Sequence, residues 1–192
     1  MHNLVLASSS QYRYDILKKL RLDFVSYSCP VDETPMPDES AENLAIRLSI
    51  AKARAVASVF TNHLIIGSDQ VAACGDRLIG KPGSCEKAFE QLKTQSGRQV
   101  RFYTGICVYD SATGNYLTDI DCCDVYFREL SDSQIRRYLE IDQPFNCAGS
   151  FKSEGYGITL FNKIQGEDPN ALIGLPLIKL IELLECFGLV LP

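Results

Sequence analysis

The segment that most constrains the fold opens the chain: an apolar run, Leu4-Val5-Leu6-Ala7, gives way to Ser8-Ser9-Ser10-Gln11-Tyr12-Arg13 and then to a helical pattern. A strand that empties directly into a helix is the opening unit of an α/β protein. At such a junction several backbone N–H groups lack intrahelical partners and favour an anion beyond the strand's carboxyl end. The serines add small hydroxyl donors, and Arg13 can set a planar fork of donors on phosphate oxygens. Taken alone, the segment reads equally as a serine-capped helix with a surface arginine.

The alternation continues downstream. A helix over 11–19 leads to a strand over 24–28 and an acidic, proline-punctuated loop, Asp32-Glu33-Thr34-Pro35-Met36-Pro37-Asp38. Ser40 then caps a long helix that runs to about residue 60. On it Leu44, Leu48, Ala51, Ala55 and Val59 form an apolar stripe bordered by Lys52, which can snorkel into solvent or lean into a cleft. A strand over 63–67 follows, with Ser68-Asp69-Gln70 at its carboxyl end. Strand pieces over 71–74 and 77–80 flank a Gly75-Asp76 hairpin turn, and Lys81 comes next. Ser84 caps a helix to about residue 94, and strands over 100–109 and 116–127 join through a turn at 111–114. Ser131 and Gln134 form a capping box for a helix to about residue 140. A last strand over 158–164 and a helix over 171–187, stopped by Gly188, complete the pattern. The expected architecture is a mixed, twisted sheet with flanking helices, in one domain spanning 1–192.

Composition narrows the function. The chain has 192 residues, 46% hydrophobic and 22% charged, with no apolar stretch near the ~20 residues of a membrane span. No basic region precedes its short first apolar run, so a cytoplasmic protein without a membrane partner is expected. Eight cysteines, at 29, 74, 85, 107, 122, 123, 147 and 186, include no C-x-x-C pair, and only His2 and His63 could add imidazole. They are expected as small buried hydrophobes of a reducing compartment rather than as disulfides or zinc ligands. A net charge of −5, with basic clusters only at Lys18-Lys19-x-Arg21 and Arg136-Arg137, argues against a nucleic-acid polymer as partner. A small anionic ligand needs only a few cations converging in one cleft.

Ligands of open α/β sheets bind outside the carboxyl ends of strands, which singles out Asp69. Near another acid such as Glu33 it can take a proton from water or hold Mg²⁺, although an Asp in that place is more commonly one that caps a turn. Arg13, Lys52 and Lys81 are cations that could converge on a small anion. Surface lysines are the ordinary alternative, weakened for Lys81 by the backbone constraint of Gly80 and Pro82 on either side.

Six motifs stand in order over nearly the whole chain. They are Ser8-x-Ser10-x-x-Arg13 after the first strand, Gly67-Ser68-Asp69-Gln70, Gly80-Lys81-Pro82, Ser96-Gly97 ahead of Tyr103-Thr104-Gly105, Ala148-Gly149-Ser150-Phe151, and Asn170 through Gly174-Leu175-Pro176. This set resembles the Maf family of nucleoside triphosphate pyrophosphatases. The resemblance implies a Maf/ITPase-like fold, bilobed with a central cleft. It also implies hydrolysis of a nucleoside triphosphate to monophosphate and pyrophosphate with Mg²⁺ or Mn²⁺, and a homodimer. Carried onto this chain, it implies Asp69 as the catalytic residue, Ser8, Ser10, Arg13, Lys52 and Lys81 at the phosphates, and Glu33 with Asp69 at the metal.

In the branch that prefers dTTP and UTP, the catalytic Asp is followed by Thr, whereas here Gln70 follows Asp69. With Tyr12 in the first motif and Glu154 after Ala148-Gly149-Ser150-Phe151, the chain looks like the branch acting on 7-methyl-GTP, removing modified nucleotides, with Tyr12, Gln70 and Glu154 setting specificity. Methylation at N7 leaves guanine cationic, which favours an aromatic face such as that of Tyr12. A carboxylate suits the guanine N1–H and N2–H₂ donors and repels the O2 and O4 acceptors of uracil or thymine. Glu154 equally reads as a solvated loop charge. Family members are also associated with septum formation and cell-division arrest, so a dTTP/UTP pyrophosphatase and a nucleotide-sensing regulator stay open beside the main reading.

Overall fold

The computed structural model describes residues 3–191. In chain order its elements are β1 (Asn3–Leu6), α1 (Gln11–Leu17), β2 (Phe24–Ser26), α2 (Ala41–Ala57), β3 (His63–Cys74), β4 (Arg77–Ile79), α3 (Cys85–Gln95), β5 (Gln99–Asp110), β6 (Tyr116–Phe127), α4 (Asp132–Asp142), β7 (Phe161–Gln165) and α5 (Leu177–Cys186). The strands form one sheet in the order β2-β1-β3-β5-β6-β7, with β4 paired to β3. β1 runs parallel to β2 and β3, while β3–β4 and β6–β7 are antiparallel, so the sheet is mixed as expected. Among the described residues no helix is long and apolar enough to cross a membrane.

The chain divides into two compact units. One holds the residues up to Gln70, Thr104–Asp121 and those from Asp168 on; the other holds Val71–Tyr103 and Cys122–Glu167. Neither is a continuous stretch, because β3, β5 and β6 each pass from one unit into the other.

In the first unit, side-chain alternation along the strands builds two cores. Leu4 and Leu6 of β1, Leu64 and Ile66 of β3, and Ile106 and Val108 of β5 pack with Ile16 and Leu17 of α1 and the leucines of α5. The intervening Val5, Ile65 and Cys107 pack with Ala53 and Val56 of α2. α1 and α5 therefore cover one face and α2 the other. α2 lies unusually close: a Cβ on Gly67 would stand 2.1 Å from the Ser49 carbonyl oxygen, and one on Gly105 2.5 Å from that of Ala45. In the second unit, Ser84 caps α3 and the expected Ser131/Gln134 capping box opens α4. Phe102, Phe127, Phe151 and Phe161 meet edge-on at 4.7–5.7 Å between ring centroids.

Four expectations change. β3 does not stop at Gly67 but runs on to Cys74, which puts Ser68-Asp69-Gln70 in mid-strand. The buried face of α2 is Ala41, Leu44, Ala45, Leu48, Ser49, Ala53 and Val56, while Val59 lies beyond the helix and is 55% exposed. A face with 3.6 residues per turn rotates away from a stripe that steps mostly by fours. The C-terminal helix starts at Leu177 rather than 171, because Gly174 has φ +125° and Pro176 occupies the N-cap. Of the cysteines only Cys107 and Cys123 are buried, whereas Cys85, Cys122 and Cys186 are exposed. Cys122 alternates with Cys123 along β6, and Cys85 and Cys186 are terminal residues of helices.

Candidate active site

Period-two alternation along β3 sorts its mid-strand polar residues. Asp69 points, like Gly67, toward α2; Ser68 and Gln70 point to the opposite face. On α2, Lys52 falls between the buried Ser49 and Ala53. Its Nζ lies 2.5 Å from Asp69 Oδ1 and 2.7 Å from Glu33 Oε1, with side-chain exposures of 16% for Lys52, 11% for Asp69 and 53% for Glu33. Lys52 thus joins two carboxylates that the sequence separates by 36 positions. The loop carrying Glu33 is itself pinned to α2. Arg47 donates to both Glu39 oxygens at 2.6 and 2.8 Å and to the Thr34 carbonyl at 3.0 Å. That guanidinium, followed by the Met36 N–H, holds the Glu39 carboxyl down from its ordinary 4.5 to about 2.

Arg13 approaches from α1. Its Nε donates to the Gly174 carbonyl at 2.7 Å, and the buried Ser68 hydroxyl shares its proton between the carbonyls of Gly174 at 3.0 Å and Gly105 at 2.9 Å. Burial pushes the Arg13 pKa down, and the charges of Asp69 and then Glu33 act in the opposite direction. With Nε engaged, the guanidinium still carries its two terminal nitrogens as donors. Ser8 and Ser10 serve the turn: Ser8 Oγ accepts from the Ser10 N–H at 3.1 Å, and Ser10 caps α1 by accepting from the Arg13 N–H at 3.4 Å. A hydroxyl that accepts can still donate its own proton.

Gln70 is committed within this unit. Its Nε2 faces the carbonyls of Ala171 and Leu172 at 2.9 and 3.0 Å and Thr104 Oγ1 at 3.1 Å. The same turn is braced by the buried Asp168, which accepts from the Asn170 N–H and Nδ2 and from the Ile178 N–H at the start of α5. Tyr12, one residue before Arg13, is 41% exposed. Lys81 and Glu154 belong to the second unit, where both are exposed; Ser153 Oγ lies 3.3 Å from the Glu154 carboxylate. Sequence reasoning assigned no role to Ser68, Thr104, Asp168 or Gly174. Ser68, Thr104 and Gly174 stood inside quoted motifs, and that was their only signal.

The donor set fits a hard divalent cation in part. Among the described residues no three His, Cys, Asp or Glu side chains group to hold a metal, and His2 lies outside them. Two carboxylates, Glu33 and Asp69, nonetheless converge on one cation position, which Lys52 Nζ fills. Mg²⁺ is typically bound by one or two carboxylates, with waters and substrate phosphates completing its shell.

A family model described as Maf-like protein matches residues 3–187. The 7-methyl-GTP pyrophosphatase of Vibrio cholerae is 52% identical over 188 residues, covering 98% of this chain and 97% of that one. Its counterpart in Colwellia psychrerythraea is 51% identical, covering 98% of this chain and 94% of the relative, and that of Nitrosococcus oceani is 50% identical, covering 96% and 93%. The match takes in every strand and helix that positions Arg13, Lys52 and Asp69, and with it the chain belongs to the Maf family.

Proposed function

We propose that this chain hydrolyses 7-methyl-GTP to 7-methyl-GMP and pyrophosphate. The observation that carries the chemistry is the convergence of Glu33, Lys52 and Asp69, whose two carboxylates act electrostatically on Arg13. The substrate rests on the names of relatives about half identical over nearly their whole length.

In this reading Asp69 accepts the proton of a water whose oxygen attacks the α-phosphorus, and the bond from that phosphorus to the bridging oxygen breaks with its electron pair leaving on pyrophosphate. On the family resemblance Lys81 of the second unit is assigned to binding substrate phosphate; within the first unit Lys52 holds the Asp69 carboxylate in place and Arg13 meets the phosphate oxygens, with Ser8 and Ser10 donating hydroxyl protons. Fixed charges of this kind act on the transition state without reorganisation. Glu33 and Asp69 would hold Mg²⁺ or Mn²⁺ through the carboxylate oxygens other than the two on Lys52 Nζ, and the ion would supply Lewis-acid polarisation of phosphoryl oxygens. Tyr12, 41% exposed, is the aromatic residue assigned to stacking on the cationic purine. The acidic chain, at −5, suits a small cytoplasmic nucleotide better than a nucleic acid.

The test is a metal-supplemented assay of the purified protein on 7-methyl-GTP, GTP, dTTP and UTP, with products separated by ion-exchange chromatography. Pyrophosphate and monophosphate are expected, with the highest kcat/KM on 7-methyl-GTP. Orthophosphate with a nucleoside diphosphate would refute the choice of bond, and a preference for UTP would refute the choice of base.

A further inference from the structure

We infer that Gln91 and Ser150 are positioning residues that fix the loop presenting Lys81 to the substrate phosphates, an inference that rests on the phosphate role proposed for Lys81. All the residues concerned lie in the second unit.

Gln91 sits on α3 and uses both ends of its amide. Nε2 donates to the carbonyl of Gly80, the residue before Lys81, at 3.2 Å, and Oε1 accepts from the Ser150 hydroxyl at 2.5 Å. The partners settle which end is which, since a backbone carbonyl only accepts and the nitrogen must face it. The loop between β4 and α3 is tied again where the Gly83 N–H donates to the Phe145 carbonyl at 2.9 Å. Between these anchors Pro82 is buried and Lys81 is exposed. A held backbone with an exposed ammonium is what preorganised phosphate binding needs.

Ser150 supplies the second line of argument. It is fully buried and has φ +61°, a left-handed conformation that glycine adopts more readily than serine. Gly149 beside it, at φ +76°, is already a glycine, and its carbonyl is held by Gln95 Nε2 at 3.1 Å. If the turn needed only its shape, glycine would serve at both positions. The serine brings a hydroxyl, and that hydroxyl goes to Gln91. Gln91 and Gln95, one turn apart on α3, thus hold the Lys81 loop and the Ala148-Gly149-Ser150-Phe151 segment from the same helix face, and Glu154 follows four residues after Ser150.

Steady-state kinetics on 7-methyl-GTP with Gln91→Leu, Ser150→Gly, Lys81→Ala and the double variant Gln91→Leu/Lys81→Ala test this, alongside thermal melts. Gln91→Leu is expected to raise KM about 3- to 10-fold, a hydrogen-bond-sized effect, with kcat within about twofold of the parent. Ser150→Gly keeps the backbone conformation and removes only the hydroxyl, so it should raise KM similarly while Tm stays level or rises. In the Lys81→Ala background, Gln91→Leu should change KM by less than about twofold, because the group it positions is gone. Equal effects of Gln91→Leu with and without Lys81, or a wild-type KM in Gln91→Leu or Ser150→Gly, would overturn the inference. A wild-type KM in Lys81→Ala alone would instead show that the phosphate role of Lys81 is wrong.

Discussion

Replacing Gly67 with alanine tests how the site is assembled without touching any charged group. The φ of Gly67 lies outside the left-handed region, so alanine fits its backbone and only space is at issue. The new methyl would stand 2.1 Å from the Ser49 carbonyl oxygen, 2.9 Å from the Ala53 nitrogen and 3.0 Å from the Ala53 Cβ. All three belong to α2, and two are backbone atoms that cannot rotate aside. Restoring an ordinary carbon–oxygen separation of about 3.3 Å requires α2 to withdraw by roughly 1 Å. Lys52 leaves that helix between the same two residues, so the withdrawal pulls its ammonium from Asp69. Overpacking costs about 1–3 kcal/mol, which for a domain of this length lowers Tm by roughly 2–12 °C. A displacement of about 1 Å at a reacting group can cost on the order of 10²-fold in rate. Gly67→Ala should therefore melt lower and release pyrophosphate with kcat/KM down by about that factor, measured by calorimetry and a coupled pyrophosphate assay. Wild-type values in both would refute the claim that bare glycine sets the spacing between α2 and β3.

Three further outcomes are expected. Asp69→Asn, nearly isosteric but unable to take the proton, should fold normally and lose about 10²- to 10⁴-fold in kcat; near-normal turnover would move the base role to Glu33. Glu154→Gln should shrink the preference for 7-methyl-GTP over GTP, and an equal loss on 7-methyl-GTP and UTP would take Glu154 away from the base. The third concerns acid stability. Because the folded pKa of Glu39 is depressed from 4.5 to about 2, its contribution is fully present above pH 4.5 and is lost as pH falls toward 2. Glu39→Gln should flatten the fall of Tm across that window, and an unchanged profile would mean that the Arg47 latch does not report on folding.

What the sequence disclosed was mostly local. Serine caps at 40, 84 and 131 bond to N–H groups three residues on, and the Gly75-Asp76 turn follows from two neighbouring residues, so both were legible. The length of β3 was not. Ser68, Asp69 and Gln70 look like the end of a strand because their polar groups need partners, and those partners, Gly105, Gly174, Lys52, Ala171 and Leu172, come from distant parts of the chain. The apolar character of 171–175 suggested helix, while Gly174 and Pro176 decided otherwise. For the site, Arg13 and Asp69 stand in motifs, whereas Lys52 and Glu33 stand in none and are named chiefly on the family resemblance. That Gly174 offers its carbonyl to both Arg13 and Ser68 could not be read at all, since a backbone oxygen carries no signature in sequence.

The bond from Arg13 to Gly174 spans 161 positions, and that span sets when during synthesis the enzyme comes into being. Every side chain named as a candidate for catalysis or recognition, from Ser8 to Glu154, is translated before the carbonyl that aims Arg13. The leucines of α5, which close the core over Leu4, Leu6 and Ile66, are later still. A message truncated shortly after codon 160 would direct a polypeptide that holds all the candidate side chains but lacks the carbonyl that aims Arg13 and the helix that covers Leu4, Leu6 and Ile66. Nascent chains are in the same position until Gly174 and α5 have been made, and exposed apolar strand faces of that kind are what makes partly built chains prone to aggregate.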